Sequence, residues 1–335
     1  MKAFAALPAG YTRDTFLTGE NIALARSFGS LELPEGPEKL TKADLIEKLG
    51  DSDVLITGWG SPKLDGEIID AAPSLRLHVH LCGTVVPYDA EEVWERGVKV
   101  VSGNYYFAES VAEGTVGYII AAQRELPYYS ERLGKERIWK GSRDINRALL
   151  GKTVGIVSYG TIARHLVRML QPFRVRILVY DIVPLPAADK ERYGLEQASL
   201  ERVFSESDIV TVHTPLYDAT RGLVSRELIG TLKPDALFVN TSRGEIIDED
   251  ALADRLATGE IRAVLDVYRK EPPPPESRLY GMPNLIMMPH MAGPTVDLRS
   301  YIAHELIGEA HGFIDQDKPL IHEITREAAA HMSRR

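Results

Sequence analysis

Six short apolar runs recur between residues 104 and 292: Thr153–Val157, Val175–Tyr180, Ile209–His213, Ala236–Asn240, Ala263–Val267 and Leu285–Met288. Each is β-branched or aliphatic and is separated from the next by helical or turn-rich sequence. That is how strands buried on both faces of a parallel sheet read. Six of them in two halves predict a doubly wound, nucleotide-binding α/β sheet. The first hundred residues alternate in the same way. Leu40–Leu49 has helical spacing of its apolar positions, Asp53–Thr57 reads as a strand, Glu67–Ala72 as a short helix and Leu75–Leu81 as another strand. Ser110–Gln123 is a helix pattern leading into the second region, and Val296–Phe313 is a helix expected to pack back on the first. The predicted division is a domain built from 1–103 and 296–335, with a second domain, 104–295, inserted into it.

Composition narrows what such a fold can serve. The chain has 335 residues, 44% apolar and 26% charged, which suits two globular cores. No stretch approaches the roughly 20 continuous apolar residues of a membrane helix. The apolar start is broken by Pro8 and Gly10, so no signal peptide is expected. A single cysteine, Cys82, rules out an intrachain disulfide and gives no sign of an oxidising compartment. A cytoplasmic location is the default expectation. With a net charge of −9 and no basic run, neither nucleic acid nor an anionic membrane is expected as a partner.

The run Gly155-Ile-Val-Ser-Tyr-Gly160-Thr-Ile-Ala163 follows the first of the six strands and opens a helix, Thr161–Leu170. A dinucleotide fingerprint carries glycines where Ser158, Gly160 and Ala163 stand. Gly160 supplies the central one, which lets the backbone approach a pyrophosphate. Ser158 is a departure at the tight turn. Asp181 ends the next strand, 21 residues after Gly160, where an acid can accept from ribose hydroxyls and repel a 2′-phosphate. The pair predicts NAD rather than NADP.

Ligands of open α/β sheets bind beyond the carboxyl ends of the strands. There the sequence places His213-Thr-Pro215, then Asn240-Thr-Ser-Arg243-Gly244, then Asp266 and Glu271, then Pro289-His290. Arginine, glutamate and histidine thus arrive on one edge from separate strands. Reduction of a 2-oxo acid needs these types: a guanidinium to grip the carboxylate, an acid for the forming alkoxide, and a carboxylate to fix that acid's tautomer. Arg243, His290 and Glu271 are the candidates. His78 and His80 share a strand face, but no thiol or carboxylate cluster joins them in sequence, so they are read as structural and no metal is expected.

The stretches VHTPLYDATRGLV (212–224), LKPDALFVNTSRGEIIDEDAL (232–252), LDVYRKEP (265–272) and PHMAGPT (289–295) resemble the D-isomer-specific 2-hydroxyacid dehydrogenase family. The likeness covers most of 75–315. It implies a Rossmann sheet inserted in a smaller flavodoxin-like α/β domain, an active site in the cleft between them, and hydride transfer between NAD(H) and a small 2-hydroxy or 2-oxo acid. Arg243 then becomes the substrate arginine, and Glu271 and His290 the acid/base pair. Cofactor contacts are implied at Tyr159, Gly160, Thr161, Ile162, Asp181, His213, Thr214, Pro215, Thr241, Ser242, Asp266, Ala292 and Gly293, with Asp266 facing the nicotinamide carboxamide. Substrate contacts are implied at Cys82, Gly83 and Thr84, whose backbone N–H groups would meet the carboxylate. A homodimer is the family expectation, which the helix Ser110–Gln123 and the arm 128–141 could serve.

Glyoxylate or hydroxypyruvate reductase is the nearest reading. An NAD-sensing corepressor-like binding protein, a phosphoglycerate dehydrogenase and a formate-dehydrogenase-like enzyme are its rivals, the last carrying glutamine where Glu271 stands. Two departures from the family fall where substrate identity is decided. The loop Leu81–Val85 has one glycine where two flanking ones are usual, and Asn104-Tyr-Tyr-Phe107 is unusually aromatic. An apolar pocket wall carried by Tyr106 is expected from them.

Overall fold

The computed structural model describes residues 1–139 and 145–332. The chain divides into two units, Met1–Phe107 with Pro294–Arg335, and Ala108–Gly293.

In the first unit five parallel strands, β1 (Lys2–Ala5), β2 (Ser30–Glu32), β3 (Val54–Thr57), β4 (Leu77–His80) and β5 (Lys99–Ser102), lie in the order β2-β1-β3-β4-β5. This is the flavodoxin-like order, with its switch point between β1 and β3. β3 and β4 are buried along their whole length. The helix Lys42–Leu49 starts on a capping box in which Thr41 and Asp44 satisfy each other's backbone N–H, and it buries Leu45 and Leu49. The helix Val296–Gln316 returns to this sheet. Its Ile302, Ala303, Leu306, Ile307 and Ala310 form an i, i+3/i+4 stripe in one core with Ala3, Val54, Ile56, Leu77 and Val79. Each large aliphatic side chain so buried contributes about 1.5–3 kcal/mol.

The second unit holds β6 (Thr153–Val157), β7 (Arg176–Tyr180), β8 (Leu195–Gln197), β9 (Ile209–Val212), β10 (Leu237–Asn240), β11 (Arg262–Leu265) and β12 (Leu285–Met287). They are parallel, in the order β12-β11-β10-β9-β6-β7-β8, a doubly wound Rossmann sheet with one strand added. The six runs of the sequence are all strands here. The seventh, β8, is a three-residue edge strand, Leu-Glu-Gln, too short and polar to announce itself. The sheet is covered on both faces by separate apolar clusters.

One expectation needs correction. The helix predicted to begin at Ser110 spans Asn104–Gln123, so the aromatic segment 104–107 is its first turn. Tyr106 there is only 8% exposed and packs edge-on against Tyr301 and beside His322. The arm continues as a helix, Leu126–Gly134; its last two residues, Lys140 and Gly141, lie outside the described residues. Among the described residues no helix is long and apolar enough to cross a membrane.

Candidate active site

The turn after β10 is shaped by Asn240, a buried residue whose Oδ1 accepts from the Ser242 N–H (3.0 Å) and Oγ (2.8 Å). Its Nδ2 donates to the Arg243 carbonyl at 3.0 Å. The turn closes because Gly244 has no side chain: a methyl group there would fall on the carbonyl of Tyr268. Arg243 is half-buried, and its Nη1 donates to the Ser242 carbonyl at 2.7 Å. Burial lowers its pKa from the ordinary guanidinium value, while the charge of Glu271 acts in the opposite sense.

Glu271 stands at the centre of the constellation. Its Oε1 accepts from the Tyr268 N–H at 3.0 Å, and its Oε2 lies 2.7 Å from His290 Nδ1. That contact commits Nδ1 to donating and leaves Nε2, on a half-exposed ring, as the reactive nitrogen. The backbone of His290 is in the left-handed region, φ 55°, which costs a non-glycine residue about 1–3 kcal/mol unless its surroundings impose it. Asp266 imposes it. Its carbonyl accepts from the His290 N–H (2.9 Å), and its carboxylate accepts from the N–H groups of Met291 (2.7 Å) and Ala292 (2.9 Å). Tyr118, from the helix Asn104–Gln123, donates a third bond to that carboxylate at 3.2 Å. Burial and the acid beside it push the Tyr118 phenol up. Sequence reasoning named Asp266 and missed Tyr118 and Tyr268, because nothing in a helix 148 residues upstream marks one tyrosine as an anchor.

At the nucleotide end, the helix Thr161–Leu170 begins after Gly160, which caps it without a side-chain hydrogen bond. A Cβ on Gly160 would meet nothing within 4 Å. The chain is thus uncrowded at Gly160, which leaves room for the close approach a pyrophosphate makes to such a helix terminus. Ser158 takes φ 77°, a conformation that favours glycine, and its Oγ pairs with Thr214 Oγ1 at 2.7 Å. Asp181 accepts from the Tyr159 (2.6 Å) and Val183 (3.0 Å) N–H groups. These bonds hold its carboxylate just past β7. Thr241 pairs with Thr115 (3.2 Å), and the Pro215 carbonyl accepts from Thr220 (2.7 Å). His213 is buried, touching Thr211 through Nε2 (3.0 Å), while its Nδ1 is buried without a partner. Burial lowers its pKa to about 3, so the ring is neutral. An uncapped helix terminus, an acid past the second strand and an orphaned imidazole nitrogen are features a dinucleotide fits.

In the first unit the loop after β4 contains Cys82, buried, with Gly83 and Thr84 partly exposed. Burial pushes the Cys82 thiol up to about 12, which suits a packing residue rather than a nucleophile. The ring beside Gly83 is Phe107, 3.5 Å from where a Cβ would stand, and Phe107 meets Trp59 edge-on at 5.9 Å. His78 and His80 are joined by Thr57, whose Oγ1 is 2.6 Å from His78 Nε2 and 2.8 Å from His80 Nδ1. His78 Nδ1 in turn lies 2.7 Å from Asp89. Sequence spacing did not reveal this buried relay.

Comparison with known proteins identifies the family. Residues 116–292 match the model of the "D-isomer specific 2-hydroxyacid dehydrogenase, NAD binding domain". The chain is 31% identical over 279 residues to hydroxypyruvate reductase of Thermotoga maritima, covering 82% of this chain and 89% of that one. It is 33% identical to glyoxylate reductase of Korarchaeum cryptofilum, covering 80% and 81%. It also matches D-3-phosphoglycerate dehydrogenase of Methanocaldococcus jannaschii at 34%, but spans only 51% of that relative. Among solved structures, a protein of Thermus thermophilus superposes with a TM-score of 0.76 at 26% identity, covering 97% of this chain and all of that one. D-mandelate dehydrogenase of Rhodotorula graminis, at 22% identity, shares the fold with a TM-score of 0.78 over 97% of each chain. The chain belongs to the D-isomer-specific 2-hydroxyacid dehydrogenase family, and is an NAD-linked oxidoreductase of 2-hydroxy and 2-oxo acids.

Proposed function

We propose that the protein reduces small 2-oxo acids such as glyoxylate and hydroxypyruvate, with Arg243, Glu271 and His290 as its working residues. The carrying observation is Glu271, which hydrogen-bonds His290 and whose charge acts on Arg243. Arg243 grips the substrate carboxylate in a forked, charge-assisted pair and so presents one face of the 2-oxo carbonyl. His290 Nε2 gives a proton to the carbonyl oxygen as it becomes an alkoxide, and takes it back in oxidation. Glu271 accepts from Nδ1 throughout, which keeps the ring's orientation and directs the exchange to Nε2. NAD(H), when bound, supplies or accepts the hydride. Gly160, Thr161 and Ile162 would hold its pyrophosphate at the helix terminus and Asp181 its adenosine ribose. Thr214, Thr241, Ser242, Ala292 and Gly293 would line its path. In the first unit, the backbone of Cys82, Gly83 and Thr84 offers further donors for the carboxylate.

The working form is a homodimer in the cytoplasm that engages neither nucleic acid nor membrane. Leu126, Tyr128, Leu133 and Trp139 leave 53, 38, 48 and 76% of their surface exposed along one arm, apolar surface that a second copy could cover. The test is NADH oxidation with glyoxylate, hydroxypyruvate, pyruvate and phenylpyruvate. Turnover is expected with the smaller acids. It should be lost in Arg243→Met and His290→Gln while NADH binding persists. Near-wild-type rates in His290→Gln would contradict the assignment.

A further inference from the structure

The nucleotide end of the second unit carries an ion pair that the proposed reaction does not use. Arg164 stands one turn into the helix Thr161–Leu170 and is exposed. Its Nη1 donates to Asp189 Oδ2 at 2.6 Å, and its guanidinium rests 4.8 Å from the ring centre of Tyr159. The Tyr159 hydroxyl donates to the same Asp189 oxygen at 3.2 Å. Burial first, and then the charge of Asp189, push that phenol up to about 12, so it remains a donor. Asp189 itself comes from the first turn of the helix Ala187–Tyr193. One carboxylate thus holds both the ring and the cation lying on it.

The backbone of Tyr159 ties this group to Asp181. Its N–H donates to Asp181 Oδ2 at 2.6 Å, so a single residue bridges the two acids. Asp181 is the acid that would meet the adenosine ribose. Ile182 and Val183, next in the chain, leave 79 and 58% of their surface exposed and offer no polar side chain. Among the described residues, Arg164 is the cation that rests on the residue anchoring Asp181. The balance of charge decides what this corner accepts. Two carboxylates against one guanidinium leave an excess of negative charge. A 2′-phosphate carries about −1.5 to −2 near neutral pH and would be repelled there.

We infer that Asp189 is a positioning residue for cofactor choice: it keeps Arg164 on Tyr159 and away from a 2′-phosphate, and so sets a second barrier to NADP beside Asp181. This rests on the reading of Asp181 as the ribose acid. Asp189 acts through Arg164 and needs no contact of its own with the cofactor. Arg164 and Asp189 keep 44 and 23% of their side-chain surface exposed. Exposed ion pairs are weak, so one substitution suffices to release the guanidinium. Once released, it can fork onto a phosphate.

The experiment measures Kd for NADPH and NADH by equilibrium dialysis with no substrate present, so turnover plays no part. Asp189→Asn should tighten NADPH by about five-fold and leave NADH within about two-fold, the scale of an exposed charge. Adding Arg164→Met should abolish the gain, which marks it as the work of that guanidinium and not of a change in folding. An unchanged NADPH Kd in Asp189→Asn, an equal gain on both cofactors, or a gain that survives Arg164→Met would overturn the inference. Asp181→Ser separates it from the reading beneath it. If Asp181→Ser shifts the preference toward NADPH and Asp189→Asn does not, only the role of Asp189 falls. If Asp181→Ser leaves the preference unmoved, Asp181 is not the ribose acid, and the inference falls with that reading.

Discussion

The two sheets follow the same parallel logic and differ in what their strand ends carry. In the second unit β10, β11 and β12 end in ionisable residues tied to one another and to backbone: Arg243 after a turn built by Asn240, Glu271 on His290, and Asp266 under the His290 loop. In the first unit β3 and β4 end in a buried relay, Thr57 between His78 and His80, beside a group of rings. A shared topology therefore does not imply shared work. The second edge gathers ionisable side chains, as the proposed proton and carboxylate chemistry requires, while the first gathers packed rings and buried hydrogen bonds.

The sharpest way to break that contrast is Gly244→Ala. The added methyl would collide with the Tyr268 carbonyl, and Tyr268 also donates its N–H to Glu271. A loss of about 4 kcal/mol or more is expected, with turnover gone, measured by denaturant melting and NADH oxidation. A variant of ordinary stability would mean that the turn is not closed by this contact.

A paired substitution sharpens it further. Glu271→Gln should cut kcat by at least about 10-fold while leaving stability within about 1 kcal/mol, since its target is the orientation and charge of a half-exposed histidine. Thr57→Val should do the opposite. It leaves two buried imidazole nitrogens without a partner, at a cost of about 2–4 kcal/mol in a urea melt. If Glu271→Gln chiefly destabilises, or Thr57→Val chiefly slows turnover on its own, the division of labour is wrong.

Acid should act on both units through neutral histidines. His213 is lowered to about 3 and His80 well below its usual value, both by burial first of all. Below an unfolded value near 6.5 the unfolded chain binds protons that the folded chain refuses. Stability should therefore fall as pH drops from 6.5, by up to about 1.4 kcal/mol per pH unit for each ring. Urea melts between pH 7 and 4 measure this; a flat profile would contradict the burial of neutral rings.

The smallest effect concerns Ser158. Its φ of 77° is strained, but its hydroxyl pairs with Thr214. Ser158→Gly relieves the strain that Ser158→Ala keeps, while both lose the bond. The glycine variant should be the more stable of the two by about 1 kcal/mol.

Much of the second unit could be read from sequence because its signals are local. Short β-branched runs give the strands, and an arginine, a glutamate and a histidine directly after them stand out against apolar neighbours. β8 escaped because three residues with two polar ones carry no periodicity. The first unit's cluster of rings escaped for a different reason. Tyr11, Trp59, Phe107 and Arg299 come from four distant segments, and only the fold brings them into contact. Within the aromatic segment 104–107, helical rotation buries Tyr106 and turns Phe107 toward Gly83.

The most direct test is a crystal structure of the chain with NADH and oxamate, an unreactive 2-oxo acid mimic. It should place the oxamate carboxylate on the Arg243 guanidinium and its amide carbonyl oxygen within about 3 Å of His290 Nε2, with Glu271 still on Nδ1. Oxamate seated away from Arg243, or a His290 ring turned from it while Glu271 bonds elsewhere, would contradict the assignment of these three residues to one reaction.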